Sequence, residues 1–206
     1  MRLLTTSLIC YFLLASLATA NILPSRTTRN DLLRATRMHF QGNFEEAAEL
    51  LTECVAKIDQ ECGKWSAHSA RALLSLGFSQ LKAGNIQGAE TSFQRSLAIT
   101  ERVSGKDSGK CVGALRALGL LYEKQKEWEK AAIEYDRCVH SLYETDVHSL
   151  PNLAEILERY AHVVRQMPKK TSWFGVKKDI MKPKAEQLER RARAIRAKIK
   201  SQRSKR

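Results

Sequence analysis

The apolar positions of this chain recur at helical spacing from about residue 30 to residue 167, and the helical pattern itself repeats every 42 residues. Apolar residues three and four apart share one face of an α-helix, so the pattern predicts a series of amphipathic helices. One position of the series is always small: Ala35, Gly77, Gly119 and Ala161. In each of three repeats, an alanine is followed four residues later by a large residue: Ala47 by Leu51, Ala89 by Phe93, and Ala131 by Tyr135. Because small residues let helices approach and large ones fill the space between them, we expect closely packed antiparallel helix pairs.

The turns within the pairs follow the same register. Gly42 and Gly84 fall where the first helix of a pair ends, a position that often requires a positive φ. Lys126 occupies this position in the third repeat. We therefore expect the third turn to be strained or of another type.

The register is lost towards the C-terminus. A fourth first helix is predicted from about Asn152 to Arg165, and Pro168 follows it. The next stretch contains Trp173 and Phe174 and has no counterpart in the repeats. Apolar residues then return at helical spacing: Ala185, Leu188, Ala192 and Ile195. They predict a helix from Lys184 to about Lys200 that caps the array, because terminal repeats are commonly atypical.

These residues resemble the tetratricopeptide repeat, and the third repeat shows the likeness best, in Leu118-Gly119, Tyr122, Ala131 and Tyr135. The 42-residue step is similar to the longer variety found in kinesin light chains and in many bacterial repeat proteins. Met38 and Gln80 depart from the pattern, since tyrosine is usual there. The resemblance implies an all-α, right-handed superhelical solenoid of antiparallel helix pairs, with about three full repeats and an atypical capping repeat. It also implies a protein-binding scaffold whose first helices line a concave groove.

The first twenty residues are typical of a secretory signal. Arg2 precedes an uncharged, mostly apolar stretch that ends in Ala18-Thr19-Ala20, so we expect cleavage after Ala20 and a secreted or periplasmic protein. The alternative is an uncleaved N-terminal anchor, because no charge occurs from Leu3 to Leu23. The predicted organisation is a signal peptide at 1–20, a polar linker at 21–29, helical repeats at 30–167, an insertion at 168–183, and a basic capping helix and tail at 184–206.

The groove that the resemblance implies is basic in its first three repeats and gains acids in the fourth. Its predicted partner-binding residues are Arg29, Thr36, His39, Arg71, Phe78, Lys82, Arg116, Lys124, Glu155, Glu158 and His162. A groove of this kind, with apolar patches among the charges, suits an extended or helical peptide of some acidic character. The first function hypothesis is therefore a scaffold that binds a peptide or partner protein, whose identity the sequence does not give. An array this short could also self-associate.

The excess positive charge is confined to the C-terminal segment. Residues 1–164 carry 19 basic and 19 acidic residues, whereas the last 42 residues carry 16 basic and three acidic ones. The exposed cations predicted there are Arg190, Arg191, Arg193, Arg196, Lys198 and Lys200. They could attach the protein to an anionic membrane or a cell-wall polymer, which is the second hypothesis. Nucleic acid is disfavoured, because no aromatic residues interleave the cations for base stacking.

No catalytic, metal or cofactor site is predicted. The glycine-rich stretch from Gly105 to Cys111 fails the phosphate-loop spacing, and the five histidines lack metal-ligand spacing. Packing alone explains Cys54 and Cys138, whereas Cys62 and Cys111 lie at the same end of neighbouring repeats and could form a disulfide. The sequence leaves that pairing open and indicates a protein that is not an enzyme.

Overall fold

The computed structural model describes residues 23–143, 150–167 and 181–203, and this part of the chain is helical without strands. Its helices are α1 (Arg26–Gln41), α2 (Phe44–Cys62), α3 (Ala67–Lys82), α4 (Ile86–Ser104), α5 (Val112–Lys124), α6 (Trp128–Tyr143), α7 (Leu150–Gln166) and α8 (Met181–Arg203). A 3-10 turn at Gly109–Cys111 precedes α5. The chain divides into two compact units, Met1–Val103 and Ser104–Arg206. The predicted all-α class is confirmed.

The predicted alternation of small and large residues packs the helix pairs of the first unit. A Cβ atom on Gly77 of α3 would lie 2.5 Å from Cε1 of Phe93 on α4, closer than real Cβ contacts allow. Phe93 itself is fully buried. In the preceding pair, the small residue Ala35 and the large residue Leu51 are likewise buried. Glycine at position 77 therefore admits the aromatic ring that fills the space between the helices.

The second unit uses the same arrangement between α5 and α6. A Cβ on Gly119 would lie 2.7 Å from Cε1 of Tyr135, and the hydroxyl of Tyr135 donates a hydrogen bond to Glu123 (2.9 Å). Helix α7 packs against both α6 and α8. Ala185, Leu188 and Ala192 of α8 are buried, as their helical spacing predicted.

The three turns within the pairs share one geometry. Gly42 has φ 91°, Gly84 has φ 85° and Lys126 has φ 61°, all in the left-handed region. After each of them the next backbone N–H donates to a carbonyl five residues back: Asn43 to Met38 (3.0 Å), Asn85 to Gln80 (2.8 Å) and Glu127 to Tyr122 (2.9 Å). This hydrogen bond is the mark of a Schellman motif, which needs a left-handed residue. The third turn is therefore of the same type, contrary to the alternative that the sequence left open, and Lys126 adopts a conformation that suits glycine.

Two helices begin earlier than the sequence indicated. Helix α1 begins at Arg26, inside the predicted linker, because Ser25 caps it by accepting a hydrogen bond from the N–H of Thr28 (3.2 Å). Helix α8 begins at Met181, inside the predicted insertion, and continues to Arg203. The remainder of that insertion, with Trp173 and Phe174, lies outside the described residues, as do residues 1–22.

Candidate peptide-binding groove

A groove runs between α1 and α3 in the first unit and has two compartments. The larger one has a volume of about 400 Å³, and its apolar lining comes from Leu23, Pro24, Leu32 and Leu33. The smaller one has a volume of about 170 Å³ and is lined by Phe40, Leu51 and Phe78, with His39 and Ser79 beside them. Thr36 of α1 and Ser75 of α3 line both compartments. The two compartments therefore adjoin one another along the two helices.

Large apolar side chains are exposed at this groove. Leu33 is 66% exposed and Phe40 is 84% exposed, although both line compartments of the groove. Single exposed apolar residues are common on protein surfaces, but apolar residues grouped around a concavity mark a binding surface. The groove thus presents the kind of surface that a ligand would cover.

The charges that line the groove are positive. Arg29 and Arg71 line the larger compartment together with His68, and neither compartment is lined by an acidic residue. Within the described ranges, neither of these two arginines makes an ion pair with another side chain. Lys82 is exposed at the other end of α3. An anionic ligand would therefore meet cations that no protein carboxylate already neutralises.

His39 lines the smaller compartment and is held by its neighbours. Its Nδ1 is 3.0 Å from Oγ of Ser79, and its ring meets the edges of Phe40 and Phe44. Burial lowers the pKa of His39, and the positive charge of Lys82 lowers it further. The ring is therefore neutral near pH 7 and contributes a polar but uncharged edge.

The second unit differs because its acidic residues bind its own arginines. Glu155 is 3.6 Å from Arg116, and Glu158 accepts two hydrogen bonds of 2.6 Å each from Arg196. Arg159 bridges Glu155 (3.3 Å) and Glu123 (3.4 Å). These pairs engage Arg116, Glu155 and Glu158, three residues predicted to contact a partner, and Arg196, predicted to contact a polyanion.

The comparisons with known proteins identify one region of the chain. Residues 68–144 match the family model described as tetratricopeptide repeat. Residues 68–144 of this chain are thus tetratricopeptide repeats. No curated protein is similar enough in sequence to count as a match.

Solved structures show what kind of tetratricopeptide fold it is. BtubC (BKLC) from P. vanneervenii superposes with a TM-score of 0.73 at 18% identity, over 84% of this chain and 64% of that one. The chain thus spans less than two thirds of the length of BtubC. Nearly identical TPR-like repeats assigned to a kinesin light chain of Podosopora anserina superpose with a TM-score of 0.58 at 17% identity, over 86% of this chain and 98% of that one. At such identities the likeness shows the fold alone, and it confirms the kinesin-light-chain-like variety expected from the 42-residue step.

A tetratricopeptide fold suggests a protein-interaction scaffold, and the first unit brings five of the predicted partner-binding residues together. They are Arg29, Thr36, His39, Arg71 and Phe78, which line the two compartments. Lys124 and His162 are exposed in the second unit, where the ring of His162 meets the edge of Trp128. Whether any of these residues contacts a partner stays a prediction.

Sequence reasoning missed several residues that line the groove. Leu23 and Pro24 fell in the predicted linker, yet they form one end of the larger compartment. Leu33 and Ser75 occupy one repeat position, 42 residues apart, and both line the groove. The register could have revealed this pair, because equivalent positions in successive first helices face the same way.

All four cysteines of the described residues are buried. Cys54 and Cys138 are free thiols, and the S–H of Cys111 donates to the carbonyl of Gly105 (3.4 Å). Burial raises the pKa of Cys54 to about 11 and that of Cys138 to about 12. Because Cys62 and Cys111 belong to different units, their pairing stays a prediction.

Two kinds of site are absent from the described part of the chain. No helix in it combines the length and the apolar character needed to span a membrane. The same residues bring no three histidine, cysteine or acidic side chains together where they could hold a metal ion.

Proposed function

We propose that this protein is an exported, non-enzymatic scaffold that binds a peptide, or a segment of a partner protein, of acidic character in the groove between α1 and α3. The observation that carries the proposal is an apolar groove bordered by Arg29 and Arg71, with no acidic side chain in its lining. Apolar anchors on the ligand supply most of the affinity in such grooves, and complementary charge supplies steering and selectivity.

A peptide-display library of random sequence, panned against the purified chain, tests this function. Enriched sequences are expected to combine carboxylates with bulky apolar residues. The double variant Arg29→Glu, Arg71→Glu should lose their binding, because two attractive charges become repulsive. The matched control reverses Arg26 and Arg37, two exposed α1 arginines outside the compartment linings. Equal losses in both double variants, or enrichment without acidic residues, would contradict the proposal.

Export is proposed from the signal-like residues 1–20. Expression of the full chain in a secreting host should release a protein whose N-terminal residue is Asn21. Recovery of an unprocessed chain in the membrane fraction would instead support the anchored alternative. Processing and anchoring are thus distinguished by one N-terminal sequence determination.

The alternative function, attachment to an anionic membrane or cell-wall polymer, would use α8. Arg190, Arg193, Lys198 and Lys200 are exposed there and have no ion-pair partner among the described residues. Sedimentation with phosphatidylserine vesicles tests it: replacement of these four cations by glutamate should abolish salt-sensitive binding, and phosphatidylcholine vesicles should not bind. Substitution is preferable to truncation, because removal of α8 would uncover the apolar face of α7 that it covers.

A further inference from the structure

The two compartments of the groove have a fixed spacing. On α1, the mean residue number of the side chains lining the larger compartment is about six lower than that of the side chains lining the smaller compartment. The difference on α3 is the same. Six residues of an α-helix rise about 9 Å. Because both walls give the same value, two apolar side chains that fill the two compartments must lie about 9 Å apart on the ligand.

We propose that the groove selects a ligand segment in the polyproline II conformation, with two bulky apolar side chains three residues apart. This inference rests on the proposed function and names its ligand more closely. In polyproline II each residue advances about 3.1 Å with three residues per turn, so residues i and i+3 lie about 9 Å apart on one face. In a β-strand, residues three apart point to opposite faces. In an α-helix, the same-face pairs i, i+4 and i, i+7 lie about 6 Å and about 10.5 Å apart, so neither matches a spacing of about 9 Å.

Two hydroxyl groups between the compartments also favour an extended ligand. Oγ1 of Thr36 donates to the carbonyl of Leu32 (2.7 Å), and Oγ of Ser75 donates to the carbonyl of Arg71 (3.3 Å). Each hydroxyl proton is therefore used within its own helix, and the oxygen keeps a lone pair with which it accepts a hydrogen bond. A helical ligand has satisfied its own N–H groups, whereas a polyproline II segment leaves them available to such acceptors.

The charge of the groove sets the ligand's polarity. Arg29 and Arg71 border only the larger compartment, while the smaller one is lined by aromatic rings and the neutral ring of His39. The carboxylates of the ligand therefore flank the anchor that fills the larger compartment. We expect the other anchor to be aromatic, because Phe40 and Phe78 line the smaller compartment and aromatic rings pack favourably against one another.

Fluorescence anisotropy with synthetic peptides tests this assignment. The probes carry one leucine flanked by aspartates and one phenylalanine placed two, three or four residues beyond it. The three-residue spacing should bind at least about tenfold more tightly than either other spacing, since a misplaced anchor leaves its apolar surface in water. Equal affinity for all three spacings would overturn the inference and leave the acidic-peptide function standing. Absence of binding by any of them, with acidic sequences still enriched from a random library, would overturn it as well.

Two variants locate the binding site. Ser75→Trp places a bulky side chain between the compartments and should abolish binding of the three-residue-spaced peptide. Thr91→Trp is its matched control, because Thr91 is an equally exposed helical hydroxyl that bonds its own helix (3.0 Å to the carbonyl of Gln87). Circular dichroism of both variants shows whether the helices persist. Retained affinity in a folded Ser75→Trp protein would refute the inference.

Discussion

The left-handed conformation of Lys126 allows the effect of a substitution on protein stability to be predicted from backbone geometry. Replacement of Lys126 by glycine should stabilise the protein, since glycine adopts positive φ without the steric penalty that a Cβ atom imposes. The side chain of Lys126 is exposed and makes no ion pair among the described residues. The substitution therefore removes no ion pair and tests the backbone conformation.

The magnitude follows from two opposing contributions. A residue with a Cβ atom in the left-handed region costs roughly 1–2 kcal/mol. Glycine loses more conformational freedom on folding, which costs about 0.5–1 kcal/mol. The net stabilisation by Lys126→Gly is thus about 1 kcal/mol, or an increase in Tm of about 2–4 °C for a chain of this size.

Two further variants serve as controls. Gly84→Lys is the reverse substitution at the equivalent turn and should destabilise the protein by a similar amount. An added Cβ there would meet no atom within 4 Å, so the left-handed backbone is the source of the loss and not a steric clash with neighbouring residues. Ala98→Gly adds a glycine within α4 at an exposed position and should cost about 1 kcal/mol.

Thermal unfolding and amide hydrogen exchange of α5 and α6 provide the measurements. Hydrogen exchange is needed because two compact units need not unfold in one step. If Lys126→Gly raises the free energy of unfolding and both control variants lower it, the prediction is confirmed. A loss from Lys126→Gly equal to that from Ala98→Gly would refute it, since the turn would then gain nothing from glycine.

Three other predictions follow from packing, ion pairing and burial. Gly119→Ala should destabilise by about 1–3 kcal/mol in chemical denaturation, because its Cβ would press on the ring of Tyr135, and the added Tyr135→Leu change should recover part of that loss. Hydrogen bonding to Arg196 lowers the pKa of Glu158 below its ordinary 4.5, so their pair stabilises the protein above that pH and less as the pH falls below it. The stability difference between wild type and Arg196→Gln, followed by denaturant midpoint against pH, should therefore shrink in acid, and a constant difference would contradict the pairing. Cys54 should resist iodoacetamide in the folded protein and react after unfolding, as mass spectrometry of tryptic peptides would show; rapid labelling of the native protein would contradict its burial.

The helix pairs and their close packing follow from the amino-acid sequence alone. Gly77 with Phe93 and Gly119 with Tyr135 are recognisable as partners because they recur at a fixed 42-residue step. Helical periodicity and the size of a side chain are local properties, and the repeat carries them from one pair to the next. The fold class and the apolar face of α8 could be predicted from these local properties.

The pairing of the charged side chains and the position of the groove depend on how the helices pack in three dimensions. Glu158 and Arg196 are 38 residues apart and do not occupy equivalent repeat positions, yet they form an ion pair with two hydrogen bonds. Leu23 completes the larger compartment although it precedes the first helix. Ion pairs and concavities depend on distances between side chains of different elements, which a repeating pattern of residue types does not encode. The periodic sequence thus specified the scaffold, and the non-periodic contacts specified the surface that it offers to a partner.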